Sequence, residues 1–284
     1  MRSRNLLLAG LAGALALLPV LGEEPRASRA IYNIFSDPEE VAIGRNAAVE
    51  IEQHLPMLGD RLLEMYLERV GQQVAAASQR PELAYHFRIV NTPEINAFAV
   101  PGGYIYVYRG LLDFVQTESQ LVAVLGHEVG HIAGFHGSDY LSRQVILERI
   151  IQEGQQFEVL SDQEVQGMLA ELGGPVVLFV ERKFGRDEEL EADLLGLYSM
   201  VRAGWHPQGM VEVLEKLQAF DGDPGLLEQL MSTHPLAAER VEMVQEELAE
   251  FPDTSELAGD SLTFQAAKAR LGMLPPPPGA KTRD

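Results

Sequence analysis

Two histidines and a glutamate stand close together in the stretch Gln120 to Gly137, which reads QLVAVLGHEVGHIAGFHG. His127 and His131 are four residues apart, a spacing that stacks their rings on one helix face. Two neutral imidazoles so placed supply half of a tetrahedral zinc site, and Glu128 falls beside them as the base for a zinc-bound water. The pattern H-E-x-x-H on an apolar helix therefore points to zinc-dependent hydrolysis, and it lacks a third ligand. Arg186 to Asp193 (RDEELEAD) opens a later helix in which Glu189 and Asp193 share a face. Glu189 is suited to ligate zinc and Asp193 to accept a ligand histidine's N–H. By spacing alone Glu188 and Glu191 compete for that place, since acidic residues collect at helix N-termini to complement the dipole. Thiolate chemistry is excluded, because the chain has no cysteine. The longer signature H-E-x-x-H-x-x-G-x-x-H fails: Gly134 is in place, but position 137 is glycine and the histidine is at 136. His136 is read as lying near the helix end, where a partly cationic ring suits the dipole.

The elements that must position these groups can be read around them. The H-E-x-x-H helix begins at Thr117 as N-cap, with Gln120 at capping-box spacing. Gly126 and Gly130 inside it cost helix stability, which implies close packing or room for substrate. Upstream, residues 85–108 change to a two-residue period. Strands are expected at Tyr85–Val90, Ile95–Val100 and Tyr104–Tyr108, with a turn at Pro101-Gly102-Gly103. Tyr104, Tyr106 and Tyr108 alternate with Ile105 and Val107, the pattern of a half-buried edge hairpin with one aromatic-polar face. An exposed strand there can hold an extended peptide by main-chain pairing. Two packing helices precede the hairpin. One is capped by Asp37 with Pro38 at its first position and runs to about Gln53. The other runs from about Asp60 to Ala77, with Leu62, Leu63, Tyr66, Val70 and Val74 as its apolar stripe. Residues 138–172 read as long helical segments with breaks at Gly154 and Gly167, serving as a lid or as core packing. The fold class is α+β, mainly helical, with a small antiparallel sheet beside the H-E-x-x-H helix.

With 284 residues, 46% of them hydrophobic, the chain can bury a sizeable core. Its net charge of −20 argues against nucleic acid or an anionic membrane as the main partner. Arg2 and Arg4 precede an apolar run from Leu6 to Leu21, with Val20-Leu21-Gly22 as a cleavage point, so residues 1–22 read as a signal peptide. The alternative is an uncleaved anchor, but the run is about 16 residues long and contains Pro19. A spanning helix needs roughly 20. Cleavage would take the net charge from −20 to −22 and leave no second run long enough to span. The expected location is periplasmic or secreted. A polar linker at 23–35, a catalytic domain at 36–255, and a short helix with a stiff, disordered Pro-rich tail at 256–284 complete the expected organisation.

Four motifs together carry a resemblance: His127-Glu128-Val129-Gly130-His131, Glu189-Leu190-Glu191-Ala192-Asp193, Ser232-Thr233-His234-Pro235, and the run Asn96 to Tyr104 (NAFAVPGGY). The set resembles the HtpX/BepA-like zinc peptidases, gluzincins related to the CAAX prenyl protease and the Oma-type proteases, over about residues 36–248. The resemblance implies one Zn2+ per chain held by His127, His131 and Glu189, with Asp193 behind a ligand histidine. It implies Glu128 as the base and His234 as either a transition-state stabiliser or a fourth ligand that latches the enzyme. Arg240 matches a recurrent arginine of uncertain role. Asn96, Ala97, Phe98, Gly103 and Tyr104 fall in the strand segment that would hold substrate. The implied activity is endoproteolysis of unfolded or misassembled envelope proteins, with a zinc-latched, chaperone-like quality-control factor as the alternative. Unlike BepA-like proteins, the chain shows no 34-residue TPR repeat.

Overall fold

The computed structural model describes residues 24, 26–153, 164, 167, 174, 176–235 and 238–280. The apolar run at 6–21 and much of the segment between 154 and 175 lie outside the described residues. Helix α1 (Asp37–His54) starts at Ser36, whose backbone N–H donates to the Glu39 carboxylate at 2.8 Å. The cap is thus one residue earlier than expected: the Glu39 carboxylate reaches back to Ser36, and Asp37 takes the first helical position. Helix α2 (Arg61–Ala76) is capped by the Asp60 carboxylate on the Leu63 N–H, and it buries Leu63, Leu67, Val70 and Val74. Leu62 leaves the predicted stripe and faces solvent.

Strands β1 (His86–Val90), β2 (Ala97–Val100) and β3 (Tyr104–Tyr108) form one sheet in the order β1-β3-β2. β2 pairs antiparallel with β3, but β1 pairs parallel with it, so the sheet is mixed rather than antiparallel. β3 is therefore the central strand, not an edge. Its tyrosine face is also buried. Ile105 and Val107 join Phe87, Ile89 and Ala97 against α2 and α4, whereas Tyr106 and Tyr108 join Phe98 and Val100 in a second core with Ile43, Ile51 and Phe179. Both faces are covered, and the two-residue alternation sorts side chains between two cores instead of between core and water.

Short α3 (Arg109–Phe114) leads into α4 (Glu118–Ala133), capped by Thr117 Oγ1 on the Gln120 N–H, and α5 (His136–Glu153) follows after a two-residue turn. A π-helical turn (Val176–Val180) precedes α6 (Arg186–Arg202), α7 (Gln208–Gln218), α8 (Glu228–Thr233), α9 (Ala238–Glu250) and α10 (Leu262–Gly272). α4 is surrounded: fifteen of its sixteen residues, Val124 excepted, are buried. α6 lies directly against it. A Cβ on Gly130 would fall 2.4 Å from the Ala192 carbonyl oxygen, and one on Gly196 would fall 2.6 Å from the Gly126 carbonyl carbon. The glycines of α4 serve close packing.

The segments on either side of the expected catalytic domain are packed against it. The Ala30 N–H donates to Asp139 on α5 at 3.1 Å, and the Ile34 N–H donates to Ser142 Oγ at 3.1 Å. At the other end, Phe264 and Leu271 of α10 belong to the main core, and Arg109 donates to the Pro275 carbonyl at 2.6 Å. Among the described residues no helix is long and apolar enough to cross a membrane.

Candidate metal centre

His127 and His131 sit one turn apart on buried α4, with Nε2 atoms 3.0 Å apart and rings edge to face. Helix α6 brings Glu189 alongside: Oε1 is 3.4 Å from His131 Nε2 and Oε2 is 3.6 Å from His127 Nε2. Its competitors are occupied elsewhere. Glu188 accepts from the Gly185 N–H at 2.8 Å and from Arg182 at 2.7 Å, closing the start of α6, while Glu191 turns to His136. His234, just past α8, completes the group, with Nδ1 3.3 Å from His127 Nε2 and 2.9 Å from Glu189 Oε1.

These four buried residues each offer one ligand-type atom within 4.8 Å of the others. Zinc bonds of about 2.0–2.2 Å in tetrahedral geometry put ligand atoms roughly 3.3 Å apart. The nearest separations of 2.9–3.6 Å straddle that length. The donor set of three imidazole nitrogens and one carboxylate oxygen suits zinc, and it fits a metal.

The surrounding groups orient the ligands and set their charge. Asp193 Oδ1 accepts from His127 Nδ1 at 2.8 Å, which leaves Nε2 free to face the metal. Arg240, on α9, grips both acids. Its Nε and Nη2 donate to Asp193 at 2.7 and 2.8 Å, and its Nη1 donates to Glu189 at 2.6 Å. Burial pushes against the charged form of Asp193, but Arg240 and His127 outweigh it and lower its pKa. Burial likewise opposes ionisation of Glu189, and His234 and His127 override it, holding that carboxyl well below the usual range. Burial, reinforced by His127, drives the His131 pKa well below its ordinary value, so this ring is neutral and able to ligate. Burial raises the pKa of Glu128, the direction that suits a base cycling its proton. Among the described residues Glu128 Oε2 and His234 Nε2 are buried with no hydrogen-bond partner, and Glu128 Oε1 lies 3.9 Å from that nitrogen.

The residues expected to hold substrate divide. Ala97 lines a small apolar pocket with His127, Glu128, Val124, Leu214 and Leu230. Asn96 is buried, and its carbonyl pairs with the Tyr108 N–H. Phe98 faces the opposite core, stacked on Tyr106, and Tyr104 stacks on His86. Gly103 is a turn residue at φ 103°, with its carbonyl accepting from the His86 N–H. Phe98, Gly103 and Tyr104 therefore shape the sheet rather than the pocket.

Two neighbours of the centre were not among the expected site residues. Phe184 stacks on His131 at 3.7 Å between centroids and on His234 at 4.8 Å. A lone phenylalanine ahead of a helix carries no sequence signal of that placement. His136 opens α5 instead of ending α4, so the dipole reading of it is wrong: a helix N-terminus disfavours a cation. It is buried against His131.

With that geometry established, comparison with known proteins gives the family. The sequence model of Peptidase family M48 matches residues 61–248. The chain belongs to peptidase family M48. It is 28% identical over 235 residues to the beta-barrel assembly-enhancing protease of Yersinia pestis, covering 82% of this chain and 47% of that protein. It is 28% identical over 232 residues to the mitochondrial metalloendopeptidase OMA1 of Schizosaccharomyces pombe, covering 80% of this chain and 66% of that protein. It is also similar to metalloprotease YcaL of Escherichia coli, 28% identical over 164 residues, covering 58% of this chain and 62% of that protein. The chain spans about half the length of the bacterial assembly-enhancing relatives and about two thirds of the yeast one. The matched M48 region runs from the start of α2 nearly to the end of α9 and contains all four convergent donors.

Proposed function

We propose that this chain is a zinc-dependent endopeptidase acting on unfolded or misassembled proteins of the cell envelope. The observation that carries the reading is the convergence of four metal-suited atoms next to a buried carboxylate with an unpartnered oxygen. His127, His131 and Glu189 would hold the ion, with Asp193 orienting the His127 ring and Arg240 holding the Glu189 carboxylate in place. When bound, zinc supplies Lewis acidity toward a peptide carbonyl and toward water. Glu128 takes the proton of the attacking water at Oε2 and passes it to the leaving amine. The apolar pocket beside Glu128 receives a nonpolar side chain next to the scissile bond, the kind of side chain an unfolded segment exposes. Substrate main chain pairs along β2, whose Ala97 and Ala99 face the α4 side. The arginines and apolar run of residues 1–22, which read as a signal peptide, and the relatives named for β-barrel assembly support an envelope location.

His234 acts as a latch in this reading, since its Nδ1 occupies the fourth corner of the donor set. That same placement favours a second reading, a zinc-latched binding factor with little turnover. Casein cleavage by the wild type, Glu128→Gln and His234→Ala separates them. The peptidase requires cleavage that is lost in E128Q with zinc retained, and the latch requires faster cleavage in H234A. Slower cleavage in H234A would make His234 a transition-state stabiliser. Client protection without cleavage in either the wild type or H234A would favour the binding factor.

A further inference from the structure

We propose that His136 is a positioning residue for the metal, which fixes the ring of His131 and is itself fixed by Glu191; this rests on the metal reading above. His131 Nδ1 and His136 Nδ1 are 2.7 Å apart, a hydrogen-bond distance between two nitrogens, so one carries the proton and the other the lone pair. His136 Nε2 lies 3.3 Å from Glu191 Oε2. His136 is only 4% exposed, whereas the Glu191 side chain is 37% exposed, at the rim of a polar cleft shared with Arg143 and Lys183.

The carboxylate decides which way the chain of protons runs. An ionised Glu191 only accepts, so neutral His136 keeps its proton on Nε2 and presents a lone pair at Nδ1. His131 must then donate from Nδ1, which leaves the lone pair of its Nε2 directed at the other donors. The reverse order would put a proton on His131 Nε2, in the middle of the donor set, and ligation would stop. His127 reaches the same state through Asp193 directly. Among the described residues no carboxylate is hydrogen-bonded to His131 Nδ1, and a histidine carries the influence of Glu191 to it.

The backbone around His136 is arranged for this contact. Phe135 has φ 58°, a left-handed conformation that is costly for a bulky residue and turns the chain sharply between α4 and α5. The guanidinium groups of Arg80 and Arg29 cover its ring at 4.1 and 4.7 Å, and Arg80 also donates to the Ile132 carbonyl at 3.1 Å. A Cβ at Gly134 would lie 2.6 Å from His136 Nε2, so the residue before the turn must lack one for the ring to fold back. Strain, glycine and cation stacking together place one imidazole on another.

The test measures zinc affinity of the full chain by competition with a chromogenic chelator, and melting of the zinc-free protein. His136→Ala should weaken zinc binding by about 10–100-fold, and His136→Asn, whose amide oxygen can accept from His131, should recover part of it. Zinc-free H136A and H136N should melt together, which separates orientation from folding. Glu191→Ala, at the solvent rim, should weaken zinc by a smaller factor. Unchanged affinity in H136A, or an Asn variant no better than Ala, would overturn the inference. If H136A does not fold, E191A decides: weakened affinity supports the relay and unchanged affinity refutes it. A wild type that takes up no zinc would remove the metal reading itself, whereas zinc uptake by wild type and all variants alike would remove only this inference.

Discussion

Gly130→Ala is the substitution that most directly tests whether the α4–α6 contact sets the metal centre. The new Cβ would sit 2.4 Å from the Ala192 carbonyl oxygen and 3.0 Å from its Cα. A carbon–oxygen contact settles at about 3.3–3.6 Å, so the two helices must separate by roughly 1 Å. Glu189 lies three residues before Ala192 on the displaced helix, and metal–ligand distances hold within about 0.2 Å. The helix gains about 1 kcal/mol in propensity from Gly to Ala, while overpacking a close contact costs about 1–3 kcal/mol. The expected result is a zinc-free protein destabilised by about 0–2 kcal/mol, with zinc affinity reduced at least tenfold. Urea unfolding of the zinc-free form and chelator competition read the two quantities separately. Zinc affinity equal to wild type in G130A, with raised stability, would refute the idea that the glycine contact sets ligand spacing.

Other outcomes follow from the same geometry. Arg240→Ala leaves Asp193 and Glu189 without their shared cation, so it should destabilise the protein by about 3–5 kcal/mol, measured by denaturant unfolding. Removing zinc from protein held at a thousandfold excess of free metal over Kd should cost about 4 kcal/mol. That corresponds to a fall of about 8–16 °C in Tm for a domain of this size, and a scan with and without chelator checks it. Asp60 caps α2 and pairs with Arg270, whose hydrogen bond is the main cause of its lowered pKa. A carboxyl with a depressed folded pKa stabilises above its unfolded pKa and loses that contribution as pH falls through the folded value. In chelator-treated protein, Asp60→Asn keeps the cap but loses the ion pair with Arg270, so it should be less stable than wild type by about 0.2–1 kcal/mol at neutral pH. The difference should close only below the ordinary carboxylate range, and a gap that persists there would contradict the assignment.

Much of the centre was legible because it is local. The i, i+4 pairing of His127 and His131 follows from helix geometry, and Thr117 capped α4 where its type and the following Gln120 indicate. The resemblance to the zinc peptidases assigned Glu189 where spacing left Glu188 and Glu191 in contention, and packing shows why: each of the three acids has a different partner. The strand periods were read correctly, but the all-antiparallel pairing and the half-exposed face were not. A two-residue alternation is the same whether a strand lies at an edge with one wet face or between two cores, and β3 is of the second kind. His136 was set aside because it missed a known spacing by one residue, and the left-handed turn at Phe135 is what brings it to His131.

The sequence by itself determined which groups could ligate and catalyse, because residue type and helical spacing place His127, Glu128 and His131 on one turn of one helix. It also set the positions of Gly126 and Gly130, and with them the faces that admit a close neighbour. The resemblance pointed to Glu189 and His234, but the tertiary structure alone decided how they reach the centre, that Phe184 covers it, and that Arg240 clamps two carboxylates at once. Those contacts join residues 45 to 107 positions apart. No local rule encodes them, since they depend on how α4, α6, α8 and α9 pack against one another.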